Sequence, residues 1–124
     1  QFINFYQIQE RFQVSSMSDQ KELIVCIINN GYSDLVMQAA KNEGARGGTI
    51  FHARGTSNGD AEKFFGIKVS PEKEVVFIVC YSELKDSIIQ AIYKDAGLNT
   101  KGQGIVFTLP INDFVSAVPV EELK

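Results

Sequence analysis

Apolar and β-branched residues gather into four short segments along the chain, at residues 23–28, 48–53, 75–80 and 105–109. Each has the length of a strand. The first reads Leu-Ile-Val-Cys-Ile-Ile with no polar interruption, which is typical of a strand in the middle of a sheet. Between them, apolar residues recur at helical spacing over 32–43 and again from 82 to about 97. The pattern therefore predicts the order strand–helix–strand–strand–helix–strand.

The two halves of this pattern repeat each other. Ile-Val-Cys opens the first strand and recurs in the third, and Gly44 and Gly97 follow the two helices, where glycine can adopt the left-handed conformation that ends a helix. Two βαβ units with right-handed crossovers predict an α+β, ferredoxin-like βαββαβ sandwich: a four-stranded antiparallel sheet with two helices on one face. Because the strands are apolar on both faces, we expect other subunits to cover the second face.

Polar residues at the element ends suggest where the helices begin. Ser33 or Asp34 is expected to cap the first helix. After the last strand, residues 112–117 predict one more helical turn with Asp113 as its cap. Residues 1–14 alternate aromatic and polar side chains before a polar break, and both a strand and a short helix remain open there. We therefore divide the chain into an N-terminal extension, 1–20, and a single domain, 21–124.

Composition narrows the possible functions. The 124 residues carry a net charge of −3 and a pI near 5.1, which argues against a nucleic-acid partner or an anionic membrane surface. No apolar run approaches the roughly 18 residues of a membrane helix. Cys26 and Cys80 both stand inside apolar strands, which favours buried, reduced thiols and a cytoplasmic location.

The residues that chemistry would need are few. His52 is the only histidine, so one chain cannot supply a multi-histidine metal site. The sequence contains neither a Gly-x-Ser-x-Gly motif nor a Walker lysine motif. We therefore predict no catalytic residue, no metal site and no enzyme activity. A small ferredoxin-like enzyme that uses His52 with a carboxylate remains an alternative.

Two glycine motifs carry the functional interpretation. The first runs from Gly44 to Gly55 and reads as a helix end, a short strand and an Arg-Gly at the root of a long loop. The second is Gly102-Gln103-Gly104, which directly precedes a strand and follows Lys101. A Gly-x-Gly segment lets backbone N–H groups approach an anion closely, since no side chain intervenes. In this order and separation, the two motifs resemble the PII family of signal-transduction proteins.

The resemblance implies a homotrimer with its sheets facing the centre and a cleft between subunits for a small-molecule effector. In PII proteins the effector is an adenine nucleotide, here AMP, ADP or ATP, and no cofactor is obligatory. Carried onto this sequence, the family places Thr49 near the adenine base of the nucleotide and Arg54 at the root of the long loop. It places Lys101, Gly102, Gln103 and Gly104 at the phosphates.

The sequence departs from the family pattern at three phosphate contacts. Ile105 stands where the family usually has a lysine, and Ser116 and Val118 stand at about the positions where it has two arginines. Each charge-assisted contact contributes roughly 1.5–3 kcal/mol. The chain is therefore identified as a divergent, PII-like member, expected to bind a triphosphate more weakly than its relatives.

The long loop at residues 54–70 matches the family's partner-binding loop in position. It contains an apolar cluster with a neighbouring cation, formed by Phe64, Phe65, Ile67 and Lys68. Aromatic anchors dominate interface energetics, so this cluster is a candidate anchor for a partner protein. The resemblance implies that the partner is a membrane transporter or a metabolic enzyme and that its regulation belongs to nitrogen utilization. The alternative from another class is a trimeric divalent-cation-binding protein of the cation-tolerance type.

Overall fold

A computed structural model describes residues 13–14, 20–56, 71–98 and 104–116, and the statements below concern these residues. In chain order its elements are β1 (Gln13–Val14), β2 (Lys21–Asn29), α1 (Ser33–Asn42), β3 (Thr49–Arg54), β4 (Glu72–Tyr81), a 3₁₀ turn (Ser82–Leu84), α2 (Lys85–Asp95), β5 (Gly104–Ile111) and β6 (Val115–Ser116).

Four of the strands form one antiparallel sheet in the order β3-β4-β2-β5. Strand β2 is paired along both of its edges, so that Val25 lies opposite Phe77 of β4 on one side and Phe107 of β5 on the other. This explains why its sequence is apolar without interruption. The predicted ferredoxin-like fold is confirmed.

Both helices pack on one face of this sheet and form the core with it. Alternate residues of the two central strands point toward the helices and are fully or almost fully buried: Ile24, Cys26, Ile28, Val76, Ile78 and Cys80. The helices contribute Val36, Ala39, Ala40, Ile88 and Ile92 to the same cluster. Burial raises the pKa of Cys26 to about 12. Burial, together with the Glu22 carboxylate, raises the pKa of Cys80 to about 11, so both thiols stay protonated at neutral pH.

The opposite face of the sheet, here called the open face, is apolar, and neither α1 nor α2 covers it. Phe51 and Phe77 meet edge to face at 5.1 Å between ring centroids. Ile105 is 57% exposed. The other large apolar side chains that this face exposes are Val79, Phe107 and Leu109. An apolar surface this continuous is unusual on a protein that acts alone.

Glycines end the helices as predicted. Gly44 and Gly97, which follow α1 and α2, have φ angles of +106° and +71°. Gly31, in the turn between β2 and α1, has a φ of +100°. Residues other than glycine are strained in this conformation, so these turns depend on their glycines.

Two local predictions are wrong. Neither Ser33 nor Asp34 caps α1, because Tyr32 occupies the cap position and makes no side-chain cap hydrogen bond. Residues 112–116 form no helical turn. Val115–Ser116 is instead a strand, β6, which pairs antiparallel with Gln13–Val14. In this pairing the backbone N–H and C=O groups of residues 115–116 find hydrogen-bond partners about a hundred residues earlier in the chain. The pattern of residues around 112–117 cannot reveal a partner so distant in sequence.

None of the helices in the part of the chain that the structure describes is long and apolar enough to cross a membrane.

Two adjacent glycines give a matched test of packing beside β3. A Cβ atom on Gly48 would lie 2.8 Å from the Met37 sulfur and 2.9 Å from the Phe77 carbonyl oxygen, whereas one on Gly47 meets nothing within 4 Å. We expect Gly48→Ala to lower the free energy of unfolding by about 1–3 kcal/mol, because the backbone of β4 must shift.

Gly47→Ala is the control. It should leave stability unchanged or raise it by about 0.4–1 kcal/mol through the unfolded state. Urea unfolding followed by circular dichroism measures both variants. Equal stability of the two would contradict the close approach of the chain to β4 at Gly48.

Candidate functional site

A cavity of about 460 Å³ lies beside the start of β3, and we call it the Thr49 cavity. Its volume lies within the usual range of small-molecule sites. Thr49, which is predicted to lie near the adenine base of a nucleotide, lines this cavity together with Gly47 and Gly48. The remaining lining residues are Lys21, Leu23, Arg46, Phe77, Val79, Cys80, Tyr81 and Phe114. Glycine backbone, aromatic rings and cations thus surround one space.

Lys21 is the least expected member of this cavity. Its residue is only 3% exposed, and its ammonium lies 4.2 Å from the centroid of the Tyr81 ring and 4.9 Å from that of Phe114. Such distances give cation–π attraction, which is stronger where water is excluded. The first residue of β2 thereby places a positive charge among aromatic rings.

A second cavity, of about 680 Å³, lies at the other end of β3, and we call it the Arg54 cavity. Arg54 lines it, as do His52 and the strand β4 residues Glu72 and Lys73. Ala53 and Pro71 complete the lining. Arg54 and Pro71 flank the two sides of the predicted loop, so this cavity lies at the base of that loop.

Those predicted ligand residues that the structure describes, Thr49, Arg54 and Gly104, do not lie together within one chain. Thr49 and Arg54 are five residues apart on one strand, about 16 Å at the usual rise of a strand, and their side chains point to opposite faces. Gly104 begins β5 at the far edge of the sheet, about 14 Å from β3 across three strand spacings. It lies at the same end of the sheet as Arg54. Within one chain, β3 and β5 are thus separated by the two strands β4 and β2.

Gly104 also has a structural reason to be glycine. A Cβ atom there would collide with the carbonyl oxygen of Ile27 and would lie 2.8 Å from a methyl carbon of Ile28. The close approach of β5 to β2 therefore requires a glycine with or without a ligand. Substitution at Gly104 would disturb the sheet, and the position is unsuitable as a test of binding.

The other predicted site residues lie outside the described residues. In the Gly-x-Gly loop these are Lys101, Gly102 and Gln103, and in the long loop they are Phe64, Phe65, Ile67 and Lys68. Their roles stay predictions.

Glu74 organises the end of the sheet where the long loop begins. Its carboxylate accepts hydrogen bonds from the Gly31 N–H at 2.7 Å, the Ser33 hydroxyl at 3.0 Å and, more weakly, the Ser33 N–H at 3.4 Å. It thus supplies, from β4, the cap that the first turn of α1 does not obtain locally. Burial raises the pKa of Glu74. These hydrogen bonds and nearby His52 lower it by more than burial raises it, so the pKa of Glu74 lies below its ordinary value.

Sequence reasoning missed Lys21, Tyr81 and Phe114 as cavity residues. One signal was available for Lys21. It alternates in phase with Leu23 and Val25, so it lies on the apolar open face, where an isolated charge is unexpected. For Phe114 no such signal existed, because its position depends on the turn after β5.

Comparison with known proteins agrees with this geometry. A family model described as nitrogen regulatory protein P-II matches residues 21–119. The chain belongs to the nitrogen regulatory protein P-II family.

Solved structures show the same fold. Arabidopsis thaliana PII bound to citrate is 23% identical, with a TM-score of 0.55 over 73% of this chain and 74% of that one. A protein of Thermus thermophilus assigned to PII-like signaling is 16% identical, with a TM-score of 0.58 over 77% and 89% of the two chains. The comparison with curated proteins gives no match.

The Glu74 contacts predict a pH-dependent contribution to stability. We expect Glu74→Gln to lower the free energy of unfolding at pH 7 by about 1.5–3 kcal/mol, because the amide replaces charge-assisted hydrogen bonds. Since the folded pKa of Glu74 is lowered, its contribution is present above the ordinary value of 4.5 and is lost as the pH falls through the folded pKa.

The difference between wild type and variant should therefore shrink below about pH 4.5 in urea titrations at several pH values. Glu83→Gln, an exposed carboxylate in the 3₁₀ turn, is the control and should change stability by less than about 0.5 kcal/mol. A constant difference between wild type and Glu74→Gln across this range would contradict the assignment.

Proposed function

We propose that this P-II family protein is a trimeric regulatory protein of the cytoplasm that binds a small anionic metabolite between subunits and controls a target through residues 54–70. The observation that carries the proposal is the separation of Thr49 and Arg54, on one sheet edge, from Gly104, on the other. A site that needs both edges is completed by a second subunit.

The open face supports the trimer. Large apolar side chains from three strands are exposed there, and burial of such surface is the main favourable term in subunit association. Three copies that bury this face at a common centre bring β3 of one subunit near β5 of the next. The Arg54 cavity, at the same end of the sheet as Gly104, then lies nearer to a neighbour's Gly104 than the Thr49 cavity does.

The effector is proposed to be an adenine nucleotide or a related anion. Arg46 and Lys21 in the Thr49 cavity, and Arg54 and Lys73 in the Arg54 cavity, give both spaces cationic groups. Phenylalanine and tyrosine rings line the Thr49 cavity, so it suits a ligand with a flat ring. The Arabidopsis relative was crystallised with citrate, a small polyanion, which supports the anionic character of the ligand class.

A regulatory role is favoured over catalysis. His52 and Glu74 lie opposite each other on β3 and β4, a histidine–carboxylate arrangement that an enzyme could use. The oxygens of Glu74, however, already accept hydrogen bonds from the turn before α1 and from Ser33. Among the described residues, no three side chains of His, Cys, Asp and Glu group together as metal ligands.

The trimer predicts a specific effect of charge on the open face. Phe107→Glu places a carboxylate where subunits would meet, and we expect the mass in solution to fall from that of a trimer to that of a monomer. Size-exclusion chromatography with light scattering measures it.

Leu35→Glu is a matched control, because Leu35 is 45% exposed on α1, whereas Phe107 is 42% exposed on the sheet. This control should remain trimeric. A monomeric wild type, or the same mass for both variants, would refute the assembly.

The ligand proposal predicts a thermal shift. The screen contains ATP, ADP, AMP, cyclic nucleotides, 2-oxoglutarate, citrate, bicarbonate and divalent cations. A ligand at a hundred times its dissociation constant adds about 2.7 kcal/mol, which raises the melting temperature by several degrees.

Arg54→Ala should reduce the shift, whereas Lys94→Ala, an exposed cation on α2, should not. A shift with divalent cations alone would favour the cation-tolerance alternative. No shift with any compound would refute the sensor function.

A further inference from the structure

We propose that the Asn30–Gly31 pair, in the turn between β2 and α1, is a covalent modification site that deamidates through a cyclic imide. The Glu74 carboxylate keeps the pair unreacted in the folded protein. The inference goes beyond the proposed function and depends on neither ligand nor trimer. Of the two Asn-Gly pairs in the sequence, this is the one that the structure describes. Glycine in second place has no side chain to hinder ring closure.

The reaction needs no reagent other than water. The backbone nitrogen of Gly31 attacks the side-chain carbonyl carbon of Asn30, and a C–N bond forms there. The bond from that carbon to the side-chain nitrogen breaks, and ammonia leaves with the proton that the Gly31 N–H gives up. Water then opens the resulting succinimide at either carbonyl, which leaves aspartate or isoaspartate at position 30. Asn30 and Gly31 are both exposed, so water reaches the ring.

A buried carboxylate holds the attacking nitrogen. The Gly31 N–H donates a hydrogen bond to Oε1 of Glu74 at 2.7 Å. Glu74 is 7% exposed, and its other oxygen accepts a hydrogen bond from the Ser33 hydroxyl at 3.0 Å, which fixes the direction of the carboxylate. Attack requires the N–H to lose its proton, and a carboxylate at this distance disfavours the negative charge that results. The Gly31–Glu74 hydrogen bond must therefore open before the reaction begins.

The conformation of the turn also opposes ring closure. The Tyr32 N–H donates to the Asn29 carbonyl oxygen at 3.3 Å, which closes a β-turn with Asn30 and Gly31 at its centre. Gly31 has a φ of +100°, whereas no described residue other than glycine has a positive φ, and this combination is that of a type II turn. In such a turn the first central residue has a ψ of about +120°. The Gly31 nitrogen is thereby rotated away from the Asn30 Cβ, and the turn must open before the ring can close.

The guarding contact lies on the helix side of the sheet. Glu74 pairs with Ile28 of β2, and residues directly opposite each other in antiparallel strands share a face. Ile28 is fully buried in the core that the helices cover. The open face, which the proposed trimer would bury, is the other one. Burial of the open face therefore does not cover this contact.

Conversion of Asn30 would change the start of α1. Aspartate adds a carboxylate one residue before the N–H that Glu74 accepts, and like charges repel. Isoaspartate instead inserts an additional backbone carbon before that N–H. Either product disturbs the hydrogen bond through which Glu74 replaces the missing cap of α1. The modification thus alters the end of the sheet where the long loop begins.

The experiment incubates the full chain near neutral pH, folded and in urea. Peptide mapping by mass spectrometry measures the fraction of Asn30 converted over time, with fragmentation that distinguishes it from Asn29. We expect Asn30 to deamidate at least about tenfold faster in urea, the factor that corresponds to loss of one charge-assisted hydrogen bond. Equal rates in the folded and unfolded chain, or no conversion of the unfolded chain, would overturn the inference without any variant.

Glu74→Gln tests the guarding group itself. The variant keeps the size of the side chain and removes its charge, and should speed deamidation of Asn30 in the folded protein at least about fivefold. Gly48→Ala is the matched control, because it is expected to lower stability to a similar degree at a position away from this turn. Its rate at Asn30 should stay within about twofold of wild type, since opening of the turn is local.

The outcomes separate the guard from general stability. An unchanged rate at Asn30 in folded Glu74→Gln overturns the role of Glu74. Equal acceleration in Glu74→Gln and Gly48→Ala shows that global unfolding limits the reaction, and this also overturns it. If Glu74→Gln does not fold, amide hydrogen exchange of wild type decides, because a Gly31 N–H that exchanges as fast as in the unfolded chain is not held by Glu74.

Discussion

The structure depends on one constraint: both helices pack on the same face of the four-stranded sheet, so that neither covers the other face. The residues of β2 and β4 that point toward α1 and α2 are buried within a single chain, including Ile24, Ile28 and Ile78. The alternate residues of the same strands are equally apolar but lie on the face that these helices leave open. In the proposed trimer this sheet gains its second layer from the other subunits, so that folding and assembly use the same periodicity of the same strands.

The arrangement of the candidate site follows from the order of the strands in the sheet. In the order β3-β4-β2-β5 the two glycine motifs of the sequence end at opposite edges of the sheet. Their distance within one chain is a property of the topology and cannot be removed by a loop movement that keeps the pairing. In the proposed trimer a cleft between subunits joins the two edges, and the Arg54 cavity, at the same end of the sheet as Gly104, is one wall of it.

The sequence alone predicted much of this fold, because strand periodicity, helical spacing and the terminating glycines are local signals. Gly44 and Gly97 have the expected left-handed conformation. The predictions that failed concern contacts between residues that are far apart in the sequence. Glu74 reaches Ser33 from a distant strand and replaces the local cap, and residues 115–116 pair with the other end of the chain rather than coil into a helical turn. At the site, motif resemblance pointed to Thr49 and Arg54, but Lys21 became a cavity residue only through the rings packed around it.

The pairing of β1 with β6 has a consequence for how stability is distributed. Each strand contributes two residues, and they come from opposite ends of the chain. Such a pairing closes a very long loop for very few hydrogen bonds, so it forms late and opens at a small fraction of the global unfolding free energy. Phe114 directly precedes β6 and lines the Thr49 cavity. One wall of that cavity therefore adjoins a pairing of only two residues on each strand, and we expect amide exchange there to report on the cavity while the central strands remain closed.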